Sequence, residues 1–149
     1  MEAVILCGVQ GSGKTTLYRD RFIETHVRVS MDLLRTRARE AAFLKTCLDT
    51  RQPFVVDNTN PTVAERARYV APARKAGFKV VAYLVEVDHA IAVAQNAARA
   101  RVVPPSGMRD VARRLIRPAP EEGFDAVWHA TAGVDGWRIE PLLTTPPLF

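Results

Sequence analysis

The stretch "AVILCGVQGSGKTTL", residues 3–17, decides how the rest of the chain is read. Five apolar residues, Ala3 to Cys7, run into a glycine, the pattern of a strand buried on both faces. Gly8, Gly13, Lys14 and Thr15 then complete the pattern G-x-x-x-x-G-K-[ST]. Glycines let the backbone wrap closely around phosphate oxygens with its N–H groups pointing inward. A helix predicted from Lys14 to about Glu24 aims its N-terminal dipole at the same charge. Gly8, Gly11, Ser12, Gly13, Lys14, Thr15 and Thr16 are therefore expected to hold a nucleoside triphosphate such as ATP. Lys14 reaches the β- and γ-phosphates, and the Thr15 hydroxyl ligates Mg²⁺. A cradle of this kind leaves the acceptor open: water, a metabolite, a protein or a polynucleotide.

Outward from the cradle, strand and helix patterns alternate. Strands are expected at 3–7, 27–29, 54–57, 79–87 and 125–130. Between them, the apolar positions Leu34, Ala38, Ala41, Leu44 and Leu48 predict one helix from Asp32 to about Thr50. Asn60 and Pro61 suit the N-cap and first position of a helix that ends near Gly77, where Pro72 is expected to bend it or remove one backbone hydrogen bond. Asp88 caps a helix to about Arg101, and Ser106 caps another with Met108, Val111, Ala112, Leu115 and Ile116 on one face. "TTPPLF" (144–149) reads as loop. The alternation predicts an α/β chain: a parallel sheet of about five strands with helices on both faces, in a single domain over 1–149, with a lid around 95–107. Ligands of such sheets sit beyond the C-terminal strand ends, where the cradle, Asp32 and "DNTN" (57–60) all fall.

Phosphoryl transfer needs positioning, charge neutralisation and a group to take the acceptor's proton. Asp32, just past the second strand, is the candidate proton acceptor; the alternative is a carboxylate that merely favours a helix dipole. Arg35, one helical turn on, shares its face and is placed to clamp a phosphate of the acceptor. Arg39 continues that face and reads as solvated surface. Asp57 suits a Mg²⁺ role through water, or orientation of the Thr15 hydroxyl, while Asn58 and Thr59 are short polar groups able to meet the acceptor. Arg99 and Arg101 precede "VVPPSG" (102–107), either as cations at a helix C-terminus or as arginines of a hinged lid on the phosphates. Arg109, Arg113 and Arg117 form a stripe that reads as solvated surface, with nucleic-acid backbone contact the minority reading.

Together these motifs resemble the kinase module of polynucleotide 5′-hydroxyl kinases, found in phage end-healing enzymes and eukaryotic kinase–phosphatases. The matching pieces are "GVQGSGKTTL", "VSMDLLR", "VVDNTNPTVAERARYVAPARKAGFKV", "NAARARVVP" and "PEEGFD", in the family's order over nearly the whole chain. "DNTNPTVAERARYV" is the most specific of them. The resemblance implies a P-loop kinase fold and transfer of the γ-phosphate of ATP to the 5′-OH end of DNA or RNA. It implies Asp32 as general base, Arg35 on the acceptor's 3′-phosphate and Arg99 as a lid arginine on the ATP phosphates. Where the family commonly has Asn-Arg-Asp and a lid Arg-Asn pair, this chain has Ser30-Met31-Asp32 and Gln95-Asn96. "GVDGW" (133–137) only echoes the D-x-D-G-[TS] motif of the fused phosphatases, so no phosphatase activity is expected. The rival readings are a P-loop kinase of a nucleoside, sugar or antibiotic, and a non-catalytic nucleotide switch.

The totals are compatible with this. At 149 residues, 48% hydrophobic and 25% charged, the chain has an ordinary globular balance, and its net charge of +5 points mildly toward polyanionic partners. Cys7 and Cys47 lack metal or redox spacing and read as buried, reduced thiols. His26, His89 and His129 are scattered and take no ligand role. The start "MEAVILCG" has no basic segment and too short an apolar run for a leader or a membrane span, so a cytoplasmic location with no membrane partner is expected.

Overall fold

The computed structural model describes residues 1–99 and 101–143. Its elements in chain order are β1 (Glu2–Cys7), α1 (Lys14–Arg21), β2 (Val27–Val29), α2 (Met31–Leu34), α3 (Arg37–Thr50), β3 (Phe54–Asp57), α4 (Val63–Lys75), β4 (Lys79–Val85), α5 (His89–Ala97), α6 (Pro105–Arg114), a 3₁₀ turn (Pro120–Glu122), β5 (Ala126–Gly133) and β6 (Gly136–Pro141). The expected loop at 144–149 lies outside the described residues. Among those described, no helix is long and apolar enough to cross a membrane.

The sheet order is β2-β3-β1-β4-β5-β6. β1 is central and pairs in parallel with β3 (Ile5 opposite Val56) and with β4 (Ile5 opposite Ala82). Its side chains alternate between two cores. Ala3, Ile5 and Cys7 face one formed with α3 and α4 through Leu44, Cys47, Tyr69, Val70 and Ala73. Val4 and Leu6 face the other, formed with Leu17 and Phe22 on the α1 side. Both faces are covered, which is why β1, β3 and β4 read as near-continuous apolar runs.

To the five strands expected the structure adds a sixth. β6 runs antiparallel to β5, joined through Val134 and Asp135, with Gly136 at φ 107°. "GVDGW" is thus a hairpin turn. Val134 and Asp135 keep negative φ and Gly136 directly after them takes the positive one, the arrangement of a type I turn followed by a glycine bulge, so Asp135-Gly136 carried the turn signal.

The single helix expected over 32–50 is two. Arg35 sits at φ 74°, ending α2, and the Thr36 hydroxyl accepts from the Arg39 N–H to start α3. Asn60 is not a helix cap. It is buried at φ 45°, its side-chain amide donates to the Leu6 carbonyl at 2.8 Å, and Thr62 caps α4 instead. α4 continues through Pro72 to Lys75. α5 stops at Ala97, short of Arg101, and Pro104 rather than Ser106 opens α6. On α6, Met108 and Val111 are buried while Ile116 lies beyond the helix and is exposed.

Candidate active site

The loop between β1 and α1 is fixed by two close approaches. A Cβ on Gly8 would lie 2.5 Å from the Val85 carbonyl oxygen, and one on Gly11 would lie 2.2 Å from that of Ala92. No side chain fits at either place, so the loop is pressed against the end of β4 and against α5. Its entry is tied to the β3 loop by the Gly8 N–H, which donates to the Thr59 carbonyl at 3.0 Å. Gly13, at φ 103°, is the N-cap residue of α1, and Ser12 is fully buried beneath the turn. Lys14 is buried, and its ammonium donates to the Gly8 and Val9 carbonyls at 2.9 Å each. Burial pulls its pKa down to about 8.

The Thr15 hydroxyl donates to Asp57 Oδ2 at 2.8 Å, joining the P-loop to the end of β3. A hydroxyl and a buried carboxylate at this distance suit Mg²⁺, which prefers oxygen donors and is usually held by one or two protein groups plus phosphates and water. The described residues contain no cluster of three or more His, Cys, Asp or Glu side chains able to form a dedicated metal cage. Arg28, unforeseen, joins this pair: its Nε donates to Asp57 Oδ2 at 2.8 Å. A charge flanked by two valines in "VRV", in a strand beside β3, was the available signal.

A cleft of about 560 Å³ opens over this edge of the sheet. Lys14, Thr15, Thr16, Arg28, Asp32, Asp57, Asn58, Thr59 and Arg99 all line it, with Gly11 and Gly13 at the loop. Asp32, half-exposed, accepts from Arg99 Nη2 at 2.8 Å, and Arg101 Nη1 lies 3.6 Å from its other oxygen. The segment carrying both arginines is pinned at its base by Asn96, whose side chain makes paired hydrogen bonds with the backbone of Val103.

Arg35 does not share a helical face with Asp32, because α2 ends before it; it is exposed and does not line the cleft. Arg37 lines it instead. Its Nη1 donates to the buried Glu40 carboxylate at 2.7 Å and reaches the Tyr69 hydroxyl at 3.1 Å. Tyr69 and Asn58 also donate to Glu40. Asn58 further accepts from the Met31 N–H at 2.9 Å, so its amide oxygen holds the start of α2, next to Asp32, while its NH₂ is spent on Glu40 and Tyr69. Asn58 and Thr59 both line the cleft wall. Arg39 is exposed, and so are Arg109, Arg113 and Arg117, although only the first two of these lie on α6. α6 ends at Arg114, Arg113 lies 4.0 Å from Asp110, and Arg117 lies 3.8 Å from Glu86. Both cysteines are buried and unpaired, and burial pushes the Cys7 thiol up to about 12.

Known proteins share this architecture. The structure of Chaetomium thermophilum Kti12 in complex with ADP-AlF3 matches with a TM-score of 0.67 at 16% identity, covering 85% of this chain and 87% of that one. The chain has the P-loop kinase fold. A family model described as an AAA domain matches residues 35–106. Distant homology links the chain to two proteins over 85% of its length. One is the bifunctional polynucleotide phosphatase/kinase of Schizosaccharomyces pombe, 26% identical over 132 residues. The other is the putative bifunctional polynucleotide phosphatase/kinase of Acanthamoeba polyphaga mimivirus, 27% identical over 137 residues. The chain spans about a third of the length of these curated relatives, 32% of each.

The buried Lys14 makes nucleotide binding pH-dependent. Unfolded, this lysine titrates near 10.5; folded, near 8, so its cost to folding is present below about 8 and relieved as pH rises toward 10.5. A triphosphate beside the ammonium raises its pKa again, so binding takes up a proton above about 8. ATP affinity is therefore expected to fall as pH rises through about 8. Calorimetry in buffers of different ionisation enthalpy should show proton uptake in wild type and none in Lys14→Met.

Proposed function

We propose that this chain transfers the γ-phosphate of ATP to the 5′-hydroxyl end of a polynucleotide. The observation that carries the reading is the meeting of Asp32 with Lys14, Thr15, Arg37 and Arg99 in one cleft. Distant similarity to the two phosphatase/kinases supports the choice of acceptor.

The chemistry follows from the residues. Asp32 accepts the proton of the acceptor hydroxyl as its oxygen attacks the γ-phosphorus; the new P–O bond forms as the bond to the β-phosphate oxygen breaks and ADP leaves. Lys14 gives up its loop carbonyls for phosphate oxygens. Arg99, held by Asp32, is drawn to the donor phosphates by their greater negative charge, which frees the carboxylate for the acceptor. Thr15 and Asp57 would hold Mg²⁺, which when bound neutralises charge on the β- and γ-phosphate oxygens.

Two arginines compete for the acceptor's own phosphate. The family resemblance favours Arg35. The geometry favours Arg37, a cleft residue whose guanidinium is braced by Glu40 and Tyr69 and thus preorganised. A charge-assisted contact contributes about 1.5–3 kcal/mol. Arg37→Ala is expected to raise the KM for a nucleoside 3′-phosphate at least about tenfold, with the donor KM nearly unchanged. Tyr69 and Asn58 still cover Glu40 in that variant. A larger effect from Arg35→Ala than from Arg37→Ala would return the clamp to Arg35.

The acceptor class is tested with a panel. Oligonucleotides with a 5′-hydroxyl, free nucleosides, sugars and aminoglycosides are each offered with ATP, and ADP formation is followed. Oligonucleotides should be consumed in preference; turnover of a small acceptor alone would favour a small-molecule kinase.

A further inference from the structure

β2 is three residues long and lies at the open edge of the sheet. An arginine there has solvent within reach of its long stem. Arg28 turns the other way, over the C-terminal ends of the strands. Its Nε donates to Asp57 Oδ2 at 2.8 Å and its Nη2 reaches Thr15 Oγ1 at 3.3 Å. The pair is largely shielded from water: the Asp57 side chain is 3% exposed and that of Arg28 23%. The Thr15 hydroxyl spends its proton on the same Asp57 oxygen. What Thr15 has left is lone-pair density, and this is what both Arg28 and a divalent cation would use. Both also draw on the single buried carboxylate, and two cations so close repel each other.

We propose that Arg28 is a counter-cation of Asp57 that competes with Mg²⁺ for the Thr15–Asp57 pair, so that the metal enters with the nucleotide and not alone. A free Mg²⁺ must displace the guanidinium with nothing to attract it elsewhere. A magnesium–nucleotide complex brings phosphate oxygens that complete the metal's coordination and also draw off the arginine. Release requires only rotation of a flexible side chain on an edge strand. Arg28 is therefore a positioning and metal-selecting residue on the donor side, and the inference does not depend on which acceptor the cleft serves.

The test titrates Mg²⁺ into wild type, Arg28→Gln and Arg28→Lys, with and without a non-hydrolysable ATP analogue, and follows binding by calorimetry. Arg28→Gln should bind Mg²⁺ alone at a concentration at least about tenfold lower than wild type, with Arg28→Lys between them. The analogue should shrink the difference. Metal affinity in Arg28→Gln equal to or weaker than wild type would overturn the proposal. A second readout needs no loss of charge. The Arg28 Nε–H resonance of wild type, assigned by its absence from the Arg28→Lys spectrum, should persist in chelator and shift on adding Mg²⁺ with the analogue. A resonance unmoved by that complex would equally overturn it.

Discussion

Asp32→Ala is expected to lower the rate of phosphoryl transfer by about 10²–10⁴-fold, the usual worth of a positioned general base, while ATP still binds. The carboxylate lines the donor cleft but touches Arg99 and Arg101, not the P-loop. Its loss releases Arg99 to the phosphates, so donor affinity should hold or improve slightly. Lys14→Ala separates the two roles. It removes a buried ammonium that is held against the P-loop carbonyls, and it should weaken ATP binding as well as transfer. Equal losses of ATP affinity in the two variants, read by equilibrium binding, would make Asp32 a structural residue. Asp32→Asn adds a control, since it keeps a hydrogen bond to Arg99 and still cannot accept the proton.

Glu122→Ala should be the most destabilising of the substitutions considered. Arg66 is fully buried, with Nε and Nη2 each 2.8 Å from one oxygen of Glu122 and Nη1 donating to the Asn60 carbonyl. Removing one partner of such a pair strands the other charge in the interior, at a cost of about 3–5 kcal/mol. For a domain of this size that is a fall in Tm of roughly ten degrees. The effect should also reach the site. Arg66 holds the Asn60 loop, Asn60 holds the Leu6 carbonyl, and Thr59 receives the Gly8 N–H at the entry to the cradle. Thermal unfolding with and without ATP measures both parts. Replacing the pair together, Arg66→Met with Glu122→Leu, should recover part of the loss but not all, because the Asn60 carbonyl stays unpaired. A Glu122→Ala midpoint within a degree or two of wild type would show the pair to be worth little.

The α/β order and the cradle were legible because both rest on local patterns. Apolar runs mark strands covered on both faces, and a glycine-bounded loop ending in Lys-Thr has few other uses. The run "DNTNPTVAERARYV" was legible as distinctive but not as structure. Its polar residues look like caps and solvated helix; in the fold, Asn58, Asn60, Arg66 and Tyr69 are buried or partly buried and joined to Glu40, Glu122 and the backbone. A buried polar network depends on partners far away in the chain, and sequence spacing carries no trace of them. The same holds for "PEEGFD": Glu122 takes Arg66, and the Asp125 carboxylate accepts the Val80 N–H at 2.8 Å. The helix break at Arg35 escaped the sequence for a different reason. Helical periodicity runs through it, but Thr36 offers a cap that starts a new helix, and the break turns Arg37 into the cleft. Arg28 went unread because one charge in a three-residue strand carries no periodic signal.

Locating the transferred phosphate tests whether the chain acts on a polynucleotide 5′-hydroxyl. The protein is incubated with Mg²⁺, γ-labelled ATP and an oligonucleotide bearing a 5′-hydroxyl, and the product is digested to mononucleotides. Transfer to that hydroxyl puts label on the 5′ phosphate of the terminal nucleotide alone, and none when the same oligonucleotide already carries a 5′-phosphate. Bound ATP with no label on the oligonucleotide, or label that passes only to a small acceptor, would contradict it.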